Sequence, residues 1–283
     1  MITVKQMKEE IRTLPPFRET VLKARERMSD PSTSAAEIAE ILQYDAGITA
    51  NILRLCNSPY YGLRGPVREL QQAVAYLGNR ELQEILILSG CMDYFQGERP
   101  GYEGQYGELW RHSIASAVLA KKLGVKFADG SGHFFIAGLL HDVGKLVLSE
   151  YVEDRYQEIL TCIEIEGLPF HLAEKRVLGM HHGEVGALIL QYWNFPGEIV
   201  SAATTHHSED INSCSRDELI IALADRLSSL MGTGTLIDSM HSQGIEHLCE
   251  YFGMGWKGVE QLLSQSSKEV GEIIHSFVLE PER

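Results

Sequence analysis

The chain lacks three things whose absence narrows its chemistry. Its five cysteines, Cys56, Cys91, Cys162, Cys214 and Cys249, are odd in number, widely spaced and free of any Cys-x-x-Cys pair. That pattern argues against a disulfide framework and a thiolate metal knuckle, and it fits a reducing compartment. Long apolar runs are missing too. Ile85–Leu88 and Phe134–Leu140 fall far short of the ~20 residues a membrane span needs. Met1 to Phe17 carries Lys5, Lys8, Glu9 and Glu10 and no apolar core of signal-peptide length. A cytoplasmic protein with no membrane partner is expected. Positive charge is scarce: 25 Lys and Arg stand against 39 Asp and Glu, a formal charge of −14. Nucleic-acid backbones and anionic surfaces are repelled by such a field, so no nucleic-acid partner is expected. Bound cations would reverse the sign inside one cleft.

What the chain has is helix periodicity almost throughout, with no sustained strand alternation, so the expected fold is all-α. Ile38, Ile41 and Leu42 recur at helical spacing behind a Ser34/Glu37 capping box. Ile48, Ile52, Leu53 and Cys56 repeat the pattern up to a break at Asn57-Ser58-Pro59. Leu70, Val74 and Leu77 form a stripe that ends at Gly78, and Leu82 to Met92 is a buried helix. Gly97, Pro100, Gly101, Gly104 and Gly107 mark a composition shift, which suggests two helical lobes, residues 1–100 and 101–283. Beyond it, helices are expected over Leu109–Leu123, His133–Leu148, Val152–Glu166, Gly183–Trp193 and Ile199–His206. Ser215 and Glu218 open another that runs through Leu230.

The second lobe carries His112, His141-Asp142, His182, His206-His207 and Asp225, each in or beside an apolar helical segment. A lone polar side chain is expensive there unless it is paired. Taken singly, each has an ordinary explanation: an exposed helix end for His141-Asp142 and His206-His207, an ion pair with Arg226 for Asp225. Taken together they look like the ligand set of a two-metal site, and they point to metal-assisted phosphoester chemistry. Imidazole with carboxylate suits iron, manganese, zinc, nickel or similar ions over a soft thiolate site.

The order His, His-Asp, His, His-His, Asp resembles the HD phosphohydrolase superfamily, and within it the HD-GYP phosphodiesterases. His141-Asp142-Val143-Gly144-Lys145 is similar to that family's His-Asp-Ile-Gly-Lys. His182-Gly183-Glu184-Val185-Gly186 is similar to its His-x-x-x-Gly helix, and Ala224-Asp225-Arg226-Leu227 to its final Asp helix. The resemblance implies that His112, His141, Asp142 and Asp225 hold one divalent ion. Asp142, His182, His206 and His207 would hold the other, with Asp142 bridging. It implies iron or manganese (with zinc, nickel or magnesium as alternatives), in-line hydrolysis of a phosphoester, and Lys145 as a phosphate contact. A solvated lysine is an equally good reading of Lys145. Glu108, four residues before His112, matches a Glu that supports a third metal in some members. The Gly-Tyr-Pro signature is absent after His206-His207, where the chain reads Ser208-Glu209-Asp210-Ile211-Asn212.

Residues Leu14 to Leu88 resemble a closer family, the HDOD domain (HD-related output domain) of bacterial signalling. The resemblance rests on Leu14-Pro15-Pro16, on Asp45 to Leu53, on Asn57-Ser58-Pro59-Tyr60-Tyr61-Gly62 and on Ala73 to Gly78. Many HDOD proteins lack the metal ligands and act through protein contacts, whereas every ligand position is filled here. Three functions follow from these resemblances. One is a phosphohydrolase acting on a nucleotide or other small phosphoester. The second is a non-catalytic module with structural metals and a signalling protein as partner. The third is a di-iron oxygenase.

Overall fold

The computed structural model describes residues 1–62, 65–95, 101–102, 107–128, 132–208, 210–233 and 244–277, and among them every regular element is a helix. In chain order the helices are α1 Val4–Ile11, α2 Glu19–Met28, α3 Ala35–Leu42, α4 Ala46–Cys56, α5 Leu70–Phe95, α6 Glu108–Phe127, α7 His133–Leu140 and α8 Lys145–Asp154. They continue with α9 Tyr156–Glu166, α10 Phe170–Leu178, α11 His182–Tyr192, α12 Gly197–Thr205, α13 Arg216–Ser229, α14 Ile245–Tyr251 and α15 Trp256–Phe277. Gly97, Pro100 and Gly104 of the composition shift lie outside the described residues.

The described residues form two compact units, one within 1–15 and 94–267, the other within 16–93 and 268–277. In the smaller unit the punctuation is local chemistry. Ser34 and Glu37 close the expected capping box of α3. Asp45 caps α4 through the Ile48 N–H at 3.0 Å and pairs with Arg18 at 3.0 Å. Where α4 stops, the Asn57 amide donates to the Leu53 and Val67 carbonyls at 2.7 and 2.8 Å and accepts the Val67 N–H at 2.8 Å. Side-chain amides compete in this way for backbone groups that a continued helix would use. Gly78 ends the Leu70–Leu77 stripe as expected: its φ of 73° and ψ of 173° break α5 into two helical pieces.

The larger unit is built around α6 and α7. Both are almost wholly buried, from Trp110 to Gly124 on one and Phe134 to Leu140 on the other. Gly138 lets them touch, because a Cβ there would lie 2.7 Å from the Ser116 carbonyl and 2.9 Å from Ala117 Cα. The His133–Leu148 helix expected from periodicity is two helices. The chain turns through His141–Gly144, where Val143 N–H bonds to the Leu140 carbonyl and Lys145 N–H to the Asp142 carbonyl. These i,i+3 bonds tighten the turn, and both halves are apolar enough for the pattern to run across it. The expected Val152–Glu166 helix likewise divides at Arg155, between α8 and α9. No helix of the described residues is long and apolar enough to cross a membrane.

Candidate metal centre

Each candidate residue sits at an element end or on an inward helix face of the larger unit. His112 is on the first turns of α6, and His141 and Asp142 form the α7–α8 turn. Lys145 opens α8, His182 opens α11, His206 and His207 follow α12, and Asp225 is on α13. Glycines bring these ends together. A Cβ on Gly144 would lie 2.6 Å from the Gly186 nitrogen, and one on Gly183 would lie 2.6 Å from the Ala203 carbonyl. The α7–α8 turn therefore rests directly on the first turns of α11, and α11 on the end of α12. This is the physical content of the glycines in His-Asp-Val-Gly-Lys and His-x-x-x-Gly: backbone approach that any side chain would block.

The seven residues from His112 to Asp225 converge, and Asp142 stands at the middle. Its Oδ1 lies 3.3 Å from His182 Nε2 and 3.6 Å from His206 Nε2. Its Oδ2 lies 3.4 Å from His141 Nε2, 3.5 Å from His112 Nε2 and 2.8 Å from Lys145 Nζ. Asp225 Oδ1 faces the same side, 3.0 Å from His112 Nε2 and 3.3 Å from His141 Nε2. His207 Nε2 is 2.7 Å from His182 Nε2. Three overlapping ligand groups result. Asp142, His182, His206 and His207 offer donors within 4.8 Å of one another, and so do His112, His141 and Asp142, with Asp225 grouped beside His141 and His206. Glu108 opens α6 half-buried and belongs to none of these groups. Lys145 is neither solvated nor free: it is 3% exposed, with its ammonium on Asp142.

The remaining ring nitrogens explain why the Nε2 atoms point inward. His141 Nδ1 and His206 Nδ1 lie 2.8 Å from the Gly138 and Ala203 carbonyls. A carbonyl only accepts, so Nδ1 of each carries a proton and Nε2 is the nitrogen turned to the centre. His112 Nδ1 is 3.0 Å from the Ser228 hydroxyl, which itself donates to the Asp225 carbonyl. His182 Nδ1 is 2.6 Å from Glu174 Oε2.

Glu174, Tyr102 and Ser228 are absent from the sequence-based site. Glu174 lies on α10, a helix missing from the sequence reading. Phe170, Ala173, Val177 and Leu178 carry the i, i+3, i+7, i+8 signal that would have revealed it, with a carboxylate in the middle of the stripe. Among the other histidines, His181 caps α11 by accepting the Gly183 N–H, His133 pairs with Asp217 at 3.1 Å, and His171 stacks on His207 at 4.6 Å. His241 lies outside the described residues.

Burial and charge oppose each other throughout the centre. Burial alone would raise Asp142 and Asp225. Lys145 and His141 hold Asp142 well below the usual carboxylate range, and hydrogen bonds from His112 and His141 do the same for Asp225. Burial pulls His141 down, but the two carboxylates win and lift it to about 10. Burial, with His206 beside it, pushes His207 well below the usual imidazole range. Burial raises Glu174 to about 7, against the pull of Tyr102 and the His182 N–H. Two buried atoms at the centre, Asp142 Oδ1 and His206 Nε2, have no hydrogen-bond partner among the described residues. A buried acceptor costs free energy when unmatched, and a divalent cation satisfies both atoms at once. The all-N,O donor set fits such an ion.

Comparison with known proteins places the chain. The HDOD domain model matches residues 14–209. The chain belongs to the HDOD family. An HDOD protein of unknown function from Geobacter sulfurreducens shares its fold at a TM-score of 0.73 and 25% identity, over 98% of this chain and 100% of that one. A protein of Shewanella amazonensis, named as a candidate metal-dependent phosphohydrolase, gives a TM-score of 0.64 at 21% identity, over 97% and 96% of the two chains. In sequence, an uncharacterized protein of Treponema pallidum is 23% identical over 71% of this HDOD chain, and the match spans 39% of that protein. Ribonuclease Y of Thermus thermophilus is 29% identical over 61% of this chain, a match spanning 26% of the ribonuclease.

Proposed function

We propose that this HDOD protein is a signalling phosphohydrolase whose HD-type centre holds two divalent cations, iron or manganese, and cleaves a phosphoester of a nucleotide or related small molecule. One observation carries the reading: Asp142 splits its two oxygens between two histidine groups, His182/His206 and His112/His141. A carboxylate placed in this way would serve two cation positions at once. His112, His141, Asp142 and Asp225 would hold one ion, and Asp142, His182, His206 and His207 the other. Such ions, when bound, supply Lewis acidity and offset phosphate charge.

The chain's own groups do the rest. The Nδ1 contacts of His112, His141, His182 and His206 hold the rings in place, and Lys145 offers a positive charge beside Asp142. Lysine binds phosphate as a point charge, so with cations bound Lys145 would be the group to take that role. The name of the Shewanella relative supports the hydrolytic reading, and a Marinobacter aquaeolei neighbour named as a candidate signal transduction protein supports the signalling one. The net charge of −14 favours a small substrate over a nucleic acid, the ribonuclease likeness notwithstanding.

The test is elemental analysis of protein purified without chelator, followed by a phosphoester panel. Two ions per chain and turnover that disappears in Asp142→Ala are expected. A second reading, a non-catalytic output module, draws on Lys145: its ammonium already neutralises Asp142 Oδ2 at 2.8 Å. A metal-loaded chain that hydrolyses nothing, while partner capture survives Asp142→Ala, would select that reading.

A further inference from the structure

Glu174 is wholly buried and has a complete set of partners. Its Oε2 accepts from His182 Nδ1 at 2.6 Å and from the His182 backbone N–H at 3.2 Å, and its Oε1 accepts from the Tyr102 hydroxyl at 2.5 Å. The Tyr102 ring stands edge-on to His182 at 6.5 Å, with the Lys145 ammonium 5.6 Å from its centre. Among the described residues, the Nδ1 atoms of His141 and His206 meet neutral carbonyls and that of His112 a hydroxyl, whereas that of His182 meets a carboxylate. A carboxylate acceptor draws on the Nδ1 proton more strongly than a carbonyl does, and it makes the opposite nitrogen a better electron donor.

We infer that Glu174, braced by Tyr102, is a positioning residue that makes His182 a stronger imidazole donor than His112, His141 or His206 and so sets the affinity of the Asp142–His182–His206–His207 position for its ion. This inference rests on the two-cation reading above. Glu174 does not reach the centre itself. It acts through His182, whose Nε2 lies among Asp142 Oδ1 and His207 Nε2. The position built from His112, His141 and Asp225 shares Asp142 with it and lies beside His206, but Glu174 bonds to neither His112 nor His141, so Glu174 acts on the two positions unequally.

The experiment is a Mn²⁺ titration of the full chain, with the free ion followed by its paramagnetic resonance, on wild type, Glu174→Gln and Tyr102→Phe. Glutamine keeps the size and one acceptor and removes the charge. Wild type is expected to bind two ions. Glu174→Gln should keep one at wild-type affinity and bind the other about 10- to 100-fold more weakly, with the melting temperature of the metal-free chain little changed. Tyr102→Phe should weaken the same ion by a smaller factor, and it decides the matter if the glutamine variant does not fold. Two ions bound at wild-type affinity by a folded variant would overturn the inference alone. Parallel loss of both ions, with a lowered metal-free melting temperature, would make Glu174 a structural residue and overturn it too. A wild-type chain that binds no Mn²⁺ would overturn the two-cation reading and the inference with it.

Discussion

The ammonium of Lys145 lies 2.8 Å from Asp142 Oδ2, one turn along the chain, with both side chains no more than 3% exposed. A buried pair of this kind costs a large desolvation penalty, and its loss on one side leaves an uncompensated charge. Lys145→Met should therefore destabilise the metal-free protein by about 3–5 kcal/mol. In metal-loaded protein the loss should be much smaller, because cations also neutralise Asp142. Urea unfolding of both forms, with and without Mn²⁺, measures the difference. Equal losses would show that the lysine stays on Asp142 when the ions are bound.

Asp142 and His206 differ in reach. Asp142 faces both histidine groups, whereas His206 Nε2 meets it on the Oδ1 side, 3.6 Å away. Asp142→Asn should abolish both ions and His206→Ala only one, counted by elemental analysis after dialysis. Loss of a single ion in Asp142→Asn would end the bridging assignment.

Glycine positions give a steric prediction. At Gly144 a Cβ would lie 2.6 Å from the Gly186 nitrogen, whereas at Gly197 it would meet none of the described residues within 4 Å. Backbone cannot rotate aside as a side chain can, so Gly144→Ala should cost at least the ~1–3 kcal/mol of core overpacking and lower metal content as α11 is pushed away. Gly197→Ala, in the first turn of α12, should be neutral or slightly stabilising. Thermal melts of the two variants form the comparison.

Acid should loosen the α12–α13 contact through Glu218. Its carboxylate accepts from Ser201 on α12 and from the Ser215 N–H at 2.6 Å. Burial would raise its pKa, but these bonds outweigh it and hold the group below its ordinary value of 4.5. A lowered folded pKa means that the unfolded chain takes up the proton first. The contribution is complete above about 4.5 and disappears as pH falls through the folded value. Wild type should lose stability over that acid window more steeply than Glu218→Gln, as read from denaturant midpoints between pH 6 and 3. Parallel curves would remove Glu218 from the acid response.

Much of this molecule was legible in the chain, for reasons that are local. Helix periodicity, the Ser34/Glu37 and Ser215/Glu218 boxes and the break at Gly78 are set by residues within a turn or two of one another. The metal-type residues stood out because a His or Asp is conspicuous in an apolar stripe. The continuous His133–Leu148 helix failed because apolar periodicity does not register a turn whose residues are as buried as the helices around it.

By itself the sequence determined most of the helices, the acidic field and the identity of the seven converging side chains. Tertiary structure alone decided which oxygen of Asp142 faces which histidines, since that depends on α6, α11, α12 and α13 closing on one turn. It also decided that Glu174 stands behind His182 and Tyr102 behind Glu174, contacts spanning 8 and 72 residues. It placed residues 1–15 with the described residues of 94–267, and 268–277 with those of 16–93. The Tyr102–Glu174 contact and the joining of the chain's ends to remote segments come from packing between stretches that no window of the sequence contains together.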